Sequence, residues 1–512
     1  MEPSQARIAG MSESVLFEGM NEEQRAVLAH DFDREGPLLV LAGAGTGKTA
    51  TLTRRLALEL SRGADPGSVM ALTFTRKAAG EMRERTAKLL GRDSGLPEIR
   101  TFHSLGLQIL SEEEGRGWKI AGWKASPRLL DDGEVAAFRS RFWTVRFRQN
   151  PSPAVPARTM DLLQAHWGTP GELERAQAGH PHLGTWFAWE DAKRQSGVAE
   201  FSDMVAGALS ALRQDEALLD RWRSRARTLL VDEYQDTDRT QYRLANLLAG
   251  DSPRILAVGD DDQSVYRFRG ADIRNVLDWT RDRPDGRILS LVRNYRCRGP
   301  ILDLSNRLFP DKPEKFRKIL VAGRTVAGGP MPVWRRCRNE SEEGRWIGAQ
   351  IALRIAQGMD ARDTCVLFRA NRQENALRHA MRDLPQSQDG EGEGVRFLTI
   401  HAAKGLEWPL VAVTGQDAPA TESVKLLDAA EDEERRLFYV ACTRARDVLL
   451  LTSCRTRPGD EAQEPCRPLP WMKLVRSRVR QIPSWSERLL GTVSLEARER
   501  AVRRDAVRWT GA

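Results

Sequence analysis

The run Leu39-Val-Leu-Ala-Gly-Ala-Gly-Thr-Gly-Lys-Thr49 constrains the fold more than any other part of the chain. A short aliphatic strand runs directly into glycines 43, 45 and 47, and a helical pattern follows Lys48 and Thr49. Ala42, Gly43, Ala44, Gly45, Thr46, Gly47, Lys48 and Thr49 therefore form a phosphate-cradling loop between a strand and a helix. The glycines let backbone N–H groups turn inward onto phosphate oxygens at a helix N-terminus. Lys48 brings a point charge to the β- and γ-phosphates, and the Thr49 hydroxyl can ligate Mg²⁺. An NTPase of the α/β class is implied.

The remaining 463 residues after Thr49 must explain what the nucleotide is used for, and a chain of 512 residues is too long for one core. A hydrophobic content of 41% fits a soluble globular protein, and no apolar run is long enough to span a bilayer, so no membrane role is expected. Met1-Glu-Pro-Ser-Gln5 has no basic segment followed by an apolar stretch, so no secretion signal is expected. Cys297, Cys337, Cys365, Cys442, Cys454 and Cys466 are scattered, with no C-x-x-C pair. Reduced thiols in the cytoplasm are expected rather than a zinc or iron–sulfur site. The net charge of +8 is compatible with a polyanionic partner.

Short β-rich segments fall into two series interleaved with helical patterns. The first comprises residues 37–41, 69–73, 228–231 and 254–258; the second comprises 287–292, 364–368, 395–399, 410–413 and 448–451. Strands alternating with helices predict parallel sheets covered on both faces, and two series predict two α/β domains with a cleft between them. A long helical stretch interrupts the first. The expected organisation is a first domain over residues 1–107 and 201–285, a helical subdomain over 108–200, a second domain over 286–455, and a basic tail over 456–512 with no strand signal after Cys466. Within the helical stretch, Pro151–Pro156 and Gly168–Gly171 mark loops. The polar segment Gln386–Gly394 is expected at the surface.

Leu229-Leu-Val-Asp-Glu233 is the second chemical signal. An apolar strand ends in two carboxylates: Asp232 can hold Mg²⁺ and Glu233 can polarise a water for attack on the γ-phosphate. Further segments follow in order around these two. They are Met20–Gln24, Thr73–Met82, Thr101–Ser104, Asp232–Thr237, Val258–Tyr266, Arg293–Arg296, Thr399–Glu407 and Glu433–Ala445. With the phosphate loop, this ordered set resembles the UvrD/Rep/PcrA group of superfamily 1A helicases from about Met20 to Leu451.

The resemblance implies two tandem RecA-like P-loop NTPase domains with a helical insertion in the first. It also implies ATP and Mg²⁺ as cofactors, and single-stranded DNA as the partner along which the protein moves 3′ to 5′. It implies that Gln24 reads the adenine edge, Tyr295 stacks on the base, Glu407 lies near the ribose and Gln263 senses the γ-phosphate. Arg296 and Arg444 would be arginine fingers from the second domain, where cations brought to the γ-phosphate stabilise the charge of the transition state. Hydrolysis then becomes a domain motion.

For DNA, the resemblance points to Phe74, His103, Tyr266, Phe268, Arg269 and His401. Base–aromatic stacking tolerates any sequence, as a translocating motor requires. Phe268 stands where the group usually has Trp, which leaves a smaller π-face. Phe74 also fits ordinary core packing, and a structural hydrogen bond accounts equally well for each histidine. Phe138–Arg148 interleaves arginines with aromatics. It reads either as a nucleic-acid face or, preferably, as a helix that buries Phe138, Phe142 and Val145 and shows its arginines to water.

Two departures from the group stand out. The large second insertion usual after the Asn-Tyr-Arg motif must be absent or reduced to a remnant, because only Cys297–Leu398 is available and it must also supply sheet elements. Ala50 follows the phosphate loop where relatives often have Arg. Compact relatives of this size include the helicase subunit of the Gabija anti-phage system, which pairs with a nuclease. Two functions compete on this basis. One is an autonomous single-strand motor. The other is an ATP-gated subunit of a nuclease or defence/repair complex with little autonomous unwinding, docked through the Trp-bearing tail (Trp471, Trp485, Trp509), which otherwise reads as a helix packed on the second domain.

Overall fold

The computed structural model describes residues 13–91, 95–147, 183–323, 328–387, 392–418, 428–457 and 466–482. Two compact units divide the chain: Gly47–Leu291 with the chain up to Ala42, and Val292 onward with Gly43–Thr46.

The first unit is built on a six-stranded sheet. Its strands are β1 (Leu38–Ala42), β2 (Val69–Thr73), β3 (Glu98–Thr101), β4 (Thr228–Val231), β5 (Ile255–Gly259) and β6 (Arg287–Leu291), in the order β3-β2-β4-β5-β1-β6 and parallel throughout. Every residue of β1, β2, β4 and β5 is buried. Strands with helices on both faces read as continuous aliphatic runs, which is why these four were legible. Two edges were not. β3 carries Glu98 and Arg100 on one face and buries only Ile99 and Thr101. Residues 287–292 were expected in the second sheet, but β6 pairs with β1, Leu38 opposite Arg287. Only Leu291 of β6 is fully buried, so its pattern could not say which sheet it joins.

The helical stretch begins with Phe102–Ile120, broken at Glu112–Gly115 by a turn in which Glu113, Glu114 and Gly115 take positive φ. It continues with Asp132–Phe147 and Leu183–Ser196. A parallel pairing of residues 128–129 with 198–199 ties its ends together. The core of this region is aromatic: Trp143, Trp186 and Trp189 are buried, with Phe138, Phe142 and Phe187 packed against them. The expectation for Phe138–Arg148, of which Arg148 lies outside the described residues, therefore needs correcting at two positions. Val145 is 82% exposed, and Trp143 fills the core instead. Arg139 is not displayed to water; its side chain is 13% exposed and lies 3.6 Å from Glu200. Pro151–Pro156 and Gly168–Gly171 lie outside the described residues.

The second unit has its own six-stranded parallel sheet. Its strands are β7 (Val333–Cys337), β8 (Thr364–Phe368), β9 (Arg396–Thr399), β10 (Trp408–Val413), β11 (Ala445–Cys454) and β12 (Arg480–Ile482), ordered β9-β8-β10-β11-β7-β12. The sequence gives no strand signal after Cys466, yet β12 pairs with β7 at the sheet edge. With three residues and one aliphatic side chain, β12 owes its conformation to the neighbouring strand rather than to its own pattern. Trp471 is 2% exposed and lies 6.3 Å from Phe438, so it packs on this unit and is not available for docking. Trp485 and Trp509 lie outside the described residues. All six cysteines are buried free thiols. No helix among the described residues is long and apolar enough to cross a membrane.

Candidate nucleotide site and nucleic-acid cavity

β1 ends at Ala42 and the helix Lys48–Ser61 begins at Lys48, with Gly47 as its N-cap in the left-handed region (φ 84°, ψ 30°). No side chain caps this helix, so its first N–H groups are left for a ligand. Thr46 is 1% exposed and its Oγ1 donates to the Gly43 carbonyl at 2.8 Å, which closes the loop on itself. Gln24 is held by a capping box with Asn21, and a Cβ on Gly47 would come within 2.8 Å of the Gln24 Nε2. The nucleotide loop and Gln24 are thus adjacent.

β4 delivers the carboxylates. Asp232 extends the sheet by donating its N–H to the Leu72 carbonyl at 2.8 Å, and it is 3% exposed. Burial pushes its carboxyl up to about 7, and the charge of Glu233 pushes in the same direction, while Lys48 opposes both. A buried carboxylate with its charge penalised in this way, within electrostatic reach of Lys48, is a hard-oxygen donor that suits a divalent cation. Glu233 takes a left-handed backbone (φ 48°), uncommon for a residue with a side chain and a frequent sign of a functional position. Its Oε2 lies 3.5 Å from the Lys48 Nζ and accepts from the Gln235 Nε2 at 2.6 Å. Gln235 in turn accepts the Asp260 N–H at 2.8 Å, and the Asp260 Oδ2 accepts from the Gln263 Nε2 at 2.7 Å.

Lys48, Glu233 and Gln263 therefore lie on one hydrogen-bonded chain. Two of its links, Gln235 and Asp260, carry no chemical signal of their own in the sequence, although both lie inside the segments Asp232–Thr237 and Val258–Tyr266. A side chain's hydrogen-bonding reach is not visible in spacing.

Tyr295, Arg296, Glu407 and Arg444 lie in the second unit. The Tyr295 ring is 43% exposed and rests on Gly323, where a Cβ would come within 3.0 Å of it. Asn294, fully buried, accepts from the Arg296 and Cys297 N–H groups at 2.8 and 2.7 Å and so fixes the turn that carries Arg296. Arg296 pairs with Glu407 and donates to the Thr443 carbonyl at 3.4 Å. Arg444 is 1% exposed and donates to the carbonyls of Val440 and Leu406 at 3.1 and 3.2 Å. Arg296, Glu407 and Arg444 therefore converge on the Thr443 turn. His401 sits in the turn after β9, also in this unit, whereas the other residues expected on the DNA path belong to the first unit.

Those residues gather in the first unit. Phe74 and Tyr266 stack with centroids 5.5 Å apart at 13°, and the Arg269 guanidinium lies 5.4 Å from the Tyr266 ring and 5.6 Å from Phe268. Phe268 is 38% exposed. Phe74, His103 and Arg269 line a cavity of about 440 Å³ together with Arg139 and Phe201. Burial lowers the pKa of His103, so it is a neutral ring there, lying edge-on to Phe201 at 6.4 Å. The aromatic faces suit stacked bases, and the same lining carries Asp132, Glu200, Asp236 and Asp238 beside Arg139 and Arg269.

The family model of the UvrD/REP helicase N-terminal domain matches residues 20–284, and that of the UvrD-like helicase C-terminal domain matches residues 289–385 and 382–456. The chain is 33% identical over 407 residues to the ATP-dependent DNA helicase UvrD1 of Mycobacterium tuberculosis, covering 75% of this chain and 51% of that protein. It is 30% identical over 455 residues to DNA helicase II of Escherichia coli, covering 87% and 61%. To the ATP-dependent DNA helicase PcrA of Staphylococcus aureus it is 30% identical over 373 residues, covering 71% and 50%. The chain thus spans about half the length of the first of these relatives. The two parallel sheets are those of tandem RecA-like domains, and the chain belongs to the UvrD/Rep helicase family.

Proposed function

We propose that this protein is an ATP- and Mg²⁺-dependent DNA helicase or translocase of single-stranded DNA, moving 3′ to 5′ and acting in the cytoplasm. One observation carries the reading. The segment whose Asp260 and Gln263 close the hydrogen-bonded chain from Lys48 runs on within three residues to Tyr266, which stacks on Phe74. Nucleotide chemistry and a base-stacking surface thus share one short stretch of backbone. The buried free thiols suit a reducing compartment.

In this reading Lys48 and the loop N–H groups hold the β- and γ-phosphates, and Gln24 reads the adenine. Glu233 orients the attacking water and takes its proton. Arg296 and Arg444 meet the developing charge, Tyr295 stacks on the base and Glu407 orders the ribose side and Arg296. Thr49 and Asp232 would hold Mg²⁺, which supplies charge neutralisation at the phosphates. Residues 108–200 form the helical insertion of the first domain, and Phe74, His103, Tyr266, Phe268 and Arg269 contact the strand, with His401 a contact from the second domain.

The test is steady-state ATP hydrolysis without nucleic acid, with single-stranded DNA and with blunt duplex, beside Lys48→Ala. Strong stimulation by single strands, abolished in the variant, is expected. Displacement of a strand from substrates with a 3′ or a 5′ tail reads the polarity.

A second reading, an ATP-gated subunit of a nuclease or repair complex with little unwinding of its own, has one observation in its favour. The large second insertion usual in the group has no room there: the helix Glu374–Ala380 is followed in sequence by β9 at Arg396, and the two C-terminal family matches, 289–385 and 382–456, meet between them. ATP binding without DNA-stimulated turnover would favour it over the motor.

A further inference from the structure

Gln235 is fully buried, and both ends of its amide are used. The Nε2 donates to the Glu233 Oε2 at 2.6 Å, and the Oε1 accepts the Asp260 N–H at 2.8 Å. Its backbone carbonyl accepts from the Ser264 Oγ at 3.2 Å. The end of β5 is shaped around it, since a Cβ on Gly259 would come within 2.8 Å of the Gln235 Oε1. An amide is the group this position requires. One end must donate to a carboxylate and the other must accept from a backbone N–H, which neither a carboxylate nor an ammonium does.

Two segments meet on this side chain. One carries Glu233, whose left-handed backbone departs from strand geometry, so that its carboxylate direction depends on what it touches. The other runs from Asp260 through Gln263 to Tyr266, stacked on Phe74. We propose that Gln235 is a positioning residue that aims the Glu233 carboxylate and links its setting to the 260–266 segment, so that a DNA strand at the Tyr266 face raises the rate of hydrolysis. This rests on the function proposed above. In the step concerned, a water oxygen bonds to the γ-phosphorus, the bond from that phosphorus to the bridging oxygen of ADP breaks, and a water proton passes to Glu233. A displacement of the Segment 260–266 backbone is felt at Asp260 N–H, and through the rigid amide at the carboxylate that takes the proton.

The experiment uses the full chain with Gln235→Met and Gln235→Glu. Methionine keeps the length and volume without hydrogen bonds. Glutamate keeps an acceptor for the Asp260 N–H but faces Glu233 with like charge. ATP hydrolysis is titrated with ATP at zero and saturating single-stranded oligonucleotide, and melting temperatures are recorded alongside. The expected result is a DNA-saturated kcat lowered by about tenfold or more in both variants, with KM for ATP changed by no more than about threefold and a smaller DNA stimulation factor. A DNA-stimulated kcat within about twofold of wild type in either folded variant overturns the proposal. So does a loss in which kcat, KM and melting temperature all move together, since that marks a merely structural role. Wild-type protein with no DNA-stimulated hydrolysis defeats the proposed function itself. Stimulated wild type with unaffected variants defeats only the role of Gln235.

Discussion

At the scale of single residues, the nucleotide loop shows how narrow the tolerances are. Gly47 occupies a left-handed backbone and faces the Gln24 amide, so a methyl group there meets both backbone strain and a side chain. Gly47→Ala is expected to cost about 1–2 kcal/mol of stability. It should also weaken ATP binding by about tenfold, because the loop N–H groups no longer converge. Denaturant unfolding and titration with a fluorescent ATP analogue check the two effects separately. Most loop residues were legible in advance because a strand, three glycines and Lys-Thr leave one chemistry open. Gln235 was not. A glutamine two positions after Glu233 says nothing in sequence about the Asp260 N–H just past the end of another strand, and the link exists only because β4 and β5 are neighbours.

At the scale of elements, burial decides what a pattern can reveal. The aliphatic runs of β1, β2, β4 and β5 announce themselves, whereas β7, with two arginines in five residues, does not. The helical region makes the same point through charge. Lys193 has no exposed side-chain surface and sits 2.7 Å from both Glu190 and Asp203, with Glu200 at 3.4 Å. Arg194 lies 3.7 Å from Glu190 and Arg139 lies 3.6 Å from Glu200, so cations face these carboxylates and it is burial that decides the balance at Glu190. Burial, with the charge of Asp203 adding to it, raises Glu190 to about 7 even though Lys193 pulls the other way. The folded chain therefore holds this proton more tightly than the unfolded chain. The stabilisation is complete below the ordinary carboxylate range and is lost as pH rises towards 7. Glu190→Gln should flatten this part of the dependence. Melting temperatures of variant and wild type between pH 4.5 and 7.5 are expected to diverge increasingly in favour of the variant as pH rises.

At the scale of the molecule, each unit closes its own sheet, and the second does so with chain that looked like a tail. Arg457, just past β11, makes paired contacts with Asp417 at 2.7 and 2.8 Å and reaches Glu343 at 3.1 Å and Glu340 at 2.9 Å. The side chains of Asp417 and Glu343 have almost no exposed surface. Arg457→Ala would leave two buried carboxylates without their cation, at a cost of about 3–5 kcal/mol, and urea unfolding followed through the tryptophans of the second unit would show it. By itself, the sequence determined the nucleotide loop, the carboxylates at the strand end, the buried aliphatic strands and the family. Each of these is written in contiguous residues whose chemistry or periodicity stands alone. Tertiary structure decided that β6 belongs to the first sheet, that β12 and Trp471 belong to the second unit, that Trp143 and not Val145 is buried, and that Gln235 joins Glu233 to Asp260. These outcomes depend on which strand or helix lies alongside. Short, polar or edge segments carry too little apolar surface to fix their own neighbours, so long-range pairing fixes them instead.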